Sequence, residues 1–119
     1  MARSKRRSQG DLETYQMQAE IAKALASAVR LRILTLIGHR EVANGLLLGE
    51  LGISKANLSQ HVALLRRVGL ISVRRDGLRV CYRLAIPEIK ALCASMRGIL
   101  AKHLAASARK GYRLTRRVS

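Results

Sequence analysis

Tryptophan and phenylalanine are both absent from this 119-residue chain, and Tyr15, Tyr82 and Tyr112 are its only aromatic residues. Modules that grip single-stranded nucleic acid stack bases on exposed rings, so that mode has little to work with here. A helix laid in the groove of a duplex needs no such ring. Acidic residues are scarce as well, 7 Asp+Glu against 23 Lys+Arg. They are scattered, and no Ser-His-Asp set, phosphate-cradling loop or nucleophile beside a base occurs, so an enzyme is not expected and no cofactor is implied. Cysteine appears twice, too seldom for a disulfide framework, and both thiols are expected reduced. Long apolar runs are missing too. "LRILTLIG" falls far short of the ~20 residues that span a bilayer. "MARSKRRSQG" is basic like the start of a signal peptide, but polar "DLETYQMQAE" follows it. A cytosolic protein with no membrane partner is expected.

What is abundant is positive charge, a formal +16. Four of the cations fall in residues 1–10 and five in residues 105–119, with no acid in either stretch. The middle of the chain still carries 14 cations against 7 acids, so the folded part is basic in its own right. That distribution points to a polyanionic partner. With 49% hydrophobic residues the chain can build one modest core, which divides it into a basic disordered arm at 1–10, one domain at 11–107 and a basic disordered tail at 108–119.

Periodicity orders the domain. Leu12, Tyr15, Ala19, Ala22 and Leu25 recur at helical spacing. Ser27 can cap a second helix whose Val29, Ile33, Leu36 and Ile37 form one stripe. "HREVANG" reads as a connection, with Asn44 as cap of a short third helix, "LLLGEL", and Gly52 at its left-handed end. Ser54 caps the next helix, and Ile53 and Leu58 are placed as a hydrophobic staple that fixes its entry angle. A short helix, a glycine turn and a second capped helix make a helix-turn-helix. "LISVRRDGLRVCYRL" then reads as a hairpin with Asp76-Gly77 as its two-residue loop. In that register Val73 faces Val80 and Ile71 faces Tyr82 on the inner side, leaving Ser72, Arg74, Arg79, Cys81 and Arg83 outside. Pro87, the only proline, opens a last helix with Ile89, Leu92, Cys93, Met96, Ile99, Leu100, His103 and Leu104 at steps of three to four.

Taken together, the chain is mainly α with a small β-hairpin, a winged helix-turn-helix. At "KALASAVRLRIL", "LGISKANLSQHVALLRRVGLI" and "RRDGLRVCYRL" it resembles the ArsR/SmtB family of dimeric repressors, over roughly residues 19–100. Ser27-Ala28-Val29 departs from the proline that the family often has before "RLRIL". The resemblance implies a homodimer formed through the first and last helices, an inverted-repeat operator in double-stranded DNA, and a bacterial or archaeal cytoplasm with the protein on the nucleoid. It places the helix after Ser54 in the major groove, with Lys55, Ala56, Ser59 and Gln60 at the contact positions. The residues themselves agree, since 55, 56, 59, 60 and 63 share the side opposite Leu58, Val62 and Leu65. Gln60 or Lys55 can reach base edges, and Ala56 can sit against a thymine methyl. Asn57 can bond a phosphate or support the cap. His61, beside the core stripe, suits either a phosphate ligand or a partly buried structural histidine. Arg66 and Arg67 are accounted for by the helix dipole alone. On the wing, Arg74, Arg75 and Arg79, about the turn at Gly77, are the phosphate or minor-groove candidates.

The signal is harder to read. Metal- and persulfide-sensing members of the family hold ligands at positions that here are Ala43, Asn44, Gly45 and Leu46, Ile86, Glu88 and Ile99, or Thr35 and Ala101, and no metal site results. Cys81 and Cys93 remain as candidate sensing thiols. Cys81 sits among Arg74, Arg79 and Arg83, a setting that lowers a thiol pKa, or is an ordinary strand residue. Cys93 belongs to the last helix's apolar stripe, where it reads first as a small core residue and second as a sensing thiol. His39 suits a helix end and His103 the dimer interface, with Ile89, Leu92, Cys93, Met96, Ile99 and Leu100. Three readings follow: a repressor released by an unidentified signal, thiol or redox chemistry being one source; a sequence-nonspecific nucleoid or RNA binder; and a metal sensor with a new site built from the two thiols and histidines.

Overall fold

The computed structural model describes the backbone of residues 2–109 and the side chains of residues 9–109. From residue 110 on, the expected tail lies outside the described residues. The first helix, α1, runs Ala2–Leu25, so helical backbone occupies the stretch expected as a disordered arm. No proline interrupts it, and Ala, Arg, Lys and Gln are good helix formers. Of its expected stripe only Leu25 is buried, joined by Ala24, while Leu12, Tyr15, Ala19 and Ala22 are exposed. Ser27 then caps α2, Ala28–Ile37, its Oγ accepting from the Arg30 backbone N–H at 3.3 Å. Ile33, Leu34 and Ile37 of α2 enter the core, whereas Leu36 is only partly covered.

A two-residue strand, β1 (Val42–Ala43), stands where a plain connection was expected. It leads into α3, Asn44–Leu51, whose cap position is Ala43 and has no side-chain bond. Asn44, the expected cap, is instead the first helical residue, and its Oδ1 accepts from the Tyr82 hydroxyl at 2.7 Å. Gly52 takes the left-handed conformation at φ +64, which lets the chain reverse at low cost. Ser54 caps α4, Lys55–Arg67, through its Oγ and the Asn57 N–H at 3.1 Å. The far end of α4 closes with Gly69 N–H on Arg66 O at 3.0 Å and Leu70 N–H on Leu65 O at 2.9 Å, the paired bonds of a Schellman motif. Leu58, Val62 and Leu65 are buried, a stripe worth about 1.5–3 kcal/mol per side chain in removed apolar surface.

The wing is β2 (Ile71–Asp76) and β3 (Arg79–Leu84), and β1 adds to it in the order β1-β3-β2, all antiparallel. Asp76 pairs with Arg79, Val73 with Tyr82 and Ile71 with Leu84. The loop is therefore Gly77-Leu78, and the expected pairs of Val73 with Val80 and Ile71 with Tyr82 are displaced by two residues. Gly77 has φ +62, and among the described residues no non-glycine has positive φ, the sign pattern of a type II′ turn with glycine first. An Asp76-Gly77 loop of type I′ would need Asp76 itself at positive φ. A displacement of two preserves the side alternation, so each wing residue keeps its expected face.

The last helix, α5 (Ile89–Arg109), follows a turn in which the Ile89 and Lys90 N–H groups reach back to Ile86 O and Pro87 O. Ile89 and Cys93 join the chain's own core. They are corrections to the expected dimer face, since side chains at 5% exposure have nearly spent their surface within one chain. No described helix is long and apolar enough to cross a membrane.

Candidate nucleic-acid interface

The cap at Ser54 and the staple side chains fix how α4 leaves the domain. With Leu58, Val62 and Leu65 inward, Lys55, Ala56, Asn57, Ser59, Gln60 and Ala63 are all exposed on the other side. The candidate reading surface is thus one continuous helical face. Beside it, Lys55, Ser59 and Arg66 of α4 share a groove of about 280 Å³ with Asn44, Arg75 and Tyr82. The Tyr82–Asn44 bond ties the wing's central strand to the start of α3 at the base of that groove. Burial pushes the Tyr82 hydroxyl above its ordinary pKa, which keeps it a neutral donor.

Arg66 was without an assigned role in the sequence, yet it stands with Lys55, Ser59 and Arg75. Its signal was available: positions 55, 59 and 66 lie at i, i+4 and i+11, which returns to one helical face. Among the described residues no carboxylate pairs with Lys55, Arg66, Arg75 or Arg79, so these cations are unspent.

Arg74 differs. Its Nε lies 3.1 Å from both Glu41 carboxylate oxygens, Nη2 also donates to Glu41, and Asp76 stands 3.7 Å from Nη1. Glu41 is held below its ordinary pKa chiefly by the Arg74 hydrogen bond, against a smaller effect of burial, and Arg74 is raised in turn. Arg74 is thus already engaged, and a phosphate would have to displace a bidentate carboxylate to reach it. Among the described residues, the exposed wing cations without an ion pair are Arg75, Arg79 and Arg83.

His61 is half-buried, and Arg30 Nη1 lies 3.2 Å from its Nδ1. Arginine can only donate, so Nδ1 accepts and the neutral ring carries its proton on Nε2. Burial first, and the Arg30 charge second, push His61 below its ordinary pKa. The structural role is thereby filled, while Nε2–H remains a donor.

Both candidate thiols are buried and free. Cys81 keeps its expected outer-face neighbours, and with Glu41, Ser72, Arg74 and Arg83 it lines a cleft of about 250 Å³. It is nonetheless 3% exposed, because Ala43 of β1 flanks it on one side and Arg74 on the other. Burial raises the Cys93 thiol despite the opposing Arg97 charge, as a packing residue requires. His39 and His103 are exposed. No cluster of three or more His, Cys, Asp or Glu able to hold a metal occurs among the described residues.

A capped helix with a small-residue polar face, preceded by a helix-turn and followed by a cationic β-wing, defines a winged helix-turn-helix DNA-binding domain. No family model matches the chain. Individual proteins do. The HTH-type transcriptional regulator Rv0081 of Mycobacterium tuberculosis is 42% identical over 91 residues, 76% of this chain and 80% of that protein. Its crystal structure superimposes with a TM-score of 0.73 at 40% identity, covering 80% of this chain and 96% of the other. The transcriptional activator HlyU of Vibrio cholerae is 40% identical over 72 residues, 60% of this chain and 67% of that protein. The homodimeric winged helix-turn-helix DNA-binding domain Mb0332 of Mycobacterium bovis matches with a TM-score of 0.71 at 30% identity, over 79% of this chain and 87% of that one. The chain belongs to the ArsR/SmtB family of winged helix-turn-helix transcriptional regulators.

Proposed function

We propose that this regulator is a homodimeric repressor that reads an inverted repeat in duplex DNA and lets go of it on a chemical signal. The observation that carries the reading is an apolar surface left without a partner. On α5, Leu92, Met96, Ile99, Leu100 and Leu104 are 40–68% exposed, and on α1 Leu12, Tyr15 and Met17 are 57–68% exposed. A monomer rarely leaves such a stripe in water. Twofold pairing of α5, aided by α1, covers it in an isologous interface and sets two α4 helices about 34 Å apart, one turn of DNA. Lys55, Ala56, Ser59 and Gln60 then meet base edges, while Arg75, Arg79 and the turn at Gly77 follow phosphates or the minor groove. Asn57 and the free Nε2–H of His61 serve the backbone nearby. Such a protein acts on the nucleoid, in the cytoplasm.

The net charge of +16 favours a second reading, a nucleic-acid binder that uses charge without sequence. Selection of bound fragments from genomic DNA, followed by affinities at one salt concentration, separates the two. A sequence reader exceeds its own nonspecific binding by ~10³ or more, and a charge binder does not. Transcription in vitro from a promoter bearing the selected site then falls for a repressor and rises for an activator.

A further inference from the structure

Between α2 and α5 lies a cleft of about 510 Å³, inside the range of about 300–1,000 Å³ typical of small-molecule sites. Leu31 and Leu36 of α2 and Cys93 of α5 supply apolar wall, and Arg32, Thr35 and Arg97 supply the polar groups. Among the described residues no Asp or Glu lines it. Arg32 Nη2 donates to the Glu50 backbone carbonyl at 3.1 Å, which holds that guanidinium in place without neutralising it. Among the described residues Arg97 makes no hydrogen bond and no ion pair. The Thr35 hydroxyl spends its proton on Leu31 O at 2.9 Å and offers only lone pairs.

An apolar hollow edged by two uncompensated cations complements a molecule with an apolar body and one anionic end. Guanidinium forks match the planar, two-oxygen geometry of a carboxylate. We propose that the α2–α5 cleft binds a small apolar carboxylate, its hydrocarbon against Leu31, Leu36 and Cys93 and its head on Arg32 and Arg97. Met96 and Leu100, also in the cleft wall, stand on the face assigned to the dimer, so an occupant touches the helix that sets the spacing of the two reading heads. The effect on DNA rests on the dimeric-repressor reading; the binding does not.

The test is isothermal titration of the full chain, in its native oligomeric state, with decanoate, decanol and decyltrimethylammonium below their micelle concentrations. Decanoate binds saturably at one site per chain, decanol at least tenfold more weakly, and the cation not at all. Arg97 is exposed, so Arg97→Gln folds normally, checked by its melting curve, and weakens decanoate at least tenfold. Arg97→Lys restores part of the loss. Equal binding of decanoate and decanol, or no change in Arg97→Gln, overturns the proposal. Failure of all three probes also overturns it and assigns the cleft to apolar side chains of a second copy. Decanoate that binds while operator affinity holds leaves the site in place and removes it as the signal's entry.

Discussion

Arg30 donates from Nη1 to His61 Nδ1 across 3.2 Å, and through that bond the end of α1 is fastened to α4. The same guanidinium holds Ala24 O at 2.6 Å through Nε and Lys23 O at 3.1 Å through Nη2. One side chain of α2 thus spans the C-terminal turn of α1 and the middle of α4.

Acid should loosen this brace. His61 has its pKa lowered in the folded chain, so below about pH 6.5 the unfolded chain takes up a proton that the folded one resists. Stability is full above that pH and falls as the pH drops toward 5. Melting temperatures of the parent protein should decline between pH 7 and 5.5, and those of His61→Gln should decline less. Glu41, lowered from 4.5, adds its own loss only in more acidic solution, so the two windows are distinct. Parallel declines in both proteins would remove His61 as the group.

Base readout is tested on α4. Gln60→Ala or Ser59→Ala should cost about 1–3 kcal/mol on the selected operator and little on random DNA, since a base contact disappears and no phosphate contact does. Equal losses on both DNAs, measured by anisotropy at one salt concentration, would take these residues out of the reading role.

The wing arginines should divide. Arg75→Ala should weaken binding to every sequence and reduce the slope of log affinity against log salt by about 1.8 in the proposed homodimer, one phosphate contact of about 0.9 lost from each protomer. Arg66→Ala, from the same groove, should do likewise. Arg74→Ala should leave the salt slope nearly unchanged, because its guanidinium is spent on Glu41. A comparable loss of slope in Arg74→Ala would mean that DNA displaces the carboxylate.

Most of the fold was legible because its signals are local. The caps at Ser27 and Ser54 and the left-handed glycine at Gly52 each depend on a few neighbouring residues, and each stands where the pattern puts it. What was hidden depends on distant partners. Glu41 is 33 residues from Arg74 and Asn44 is 38 from Tyr82, so nothing near either in the chain marks the pairing. The two residues of β1 are too few to carry an alternation, and the burial of Cys81 follows from them. The hairpin register is not written in the local pattern for a different reason: Asp-Gly and Gly-Leu both make two-residue loops, and backbone φ decides between them.

The dimer face can be probed from both sides of α5. Met96 is 40% exposed, so Met96→Asp is tolerated in an isolated chain but brings a charge into the stripe proposed to pair, where its desolvation costs several kcal/mol. The variant should sediment as a monomer and lose operator binding. Cys93→Ser, on the inward side, should stay dimeric and lose only about 1–2 kcal/mol of stability. A dimeric Met96→Asp would place the interface elsewhere.

Strand β1 also determines how the wing can bend. Val42 and Ala43 bond β3 at Tyr82 and Cys81, opposite Val73 and Arg74 of β2, so the root of the wing is three strands wide. Beyond that point only two strands continue, from Arg75 and Val80 to the turn. A ribbon bends where one of its ladders ends. The wing is therefore a short cantilever clamped where β1 joins it: the clamped part keeps a set distance from α3, and Arg75 to Arg79 form the two-stranded tip that no third strand braces.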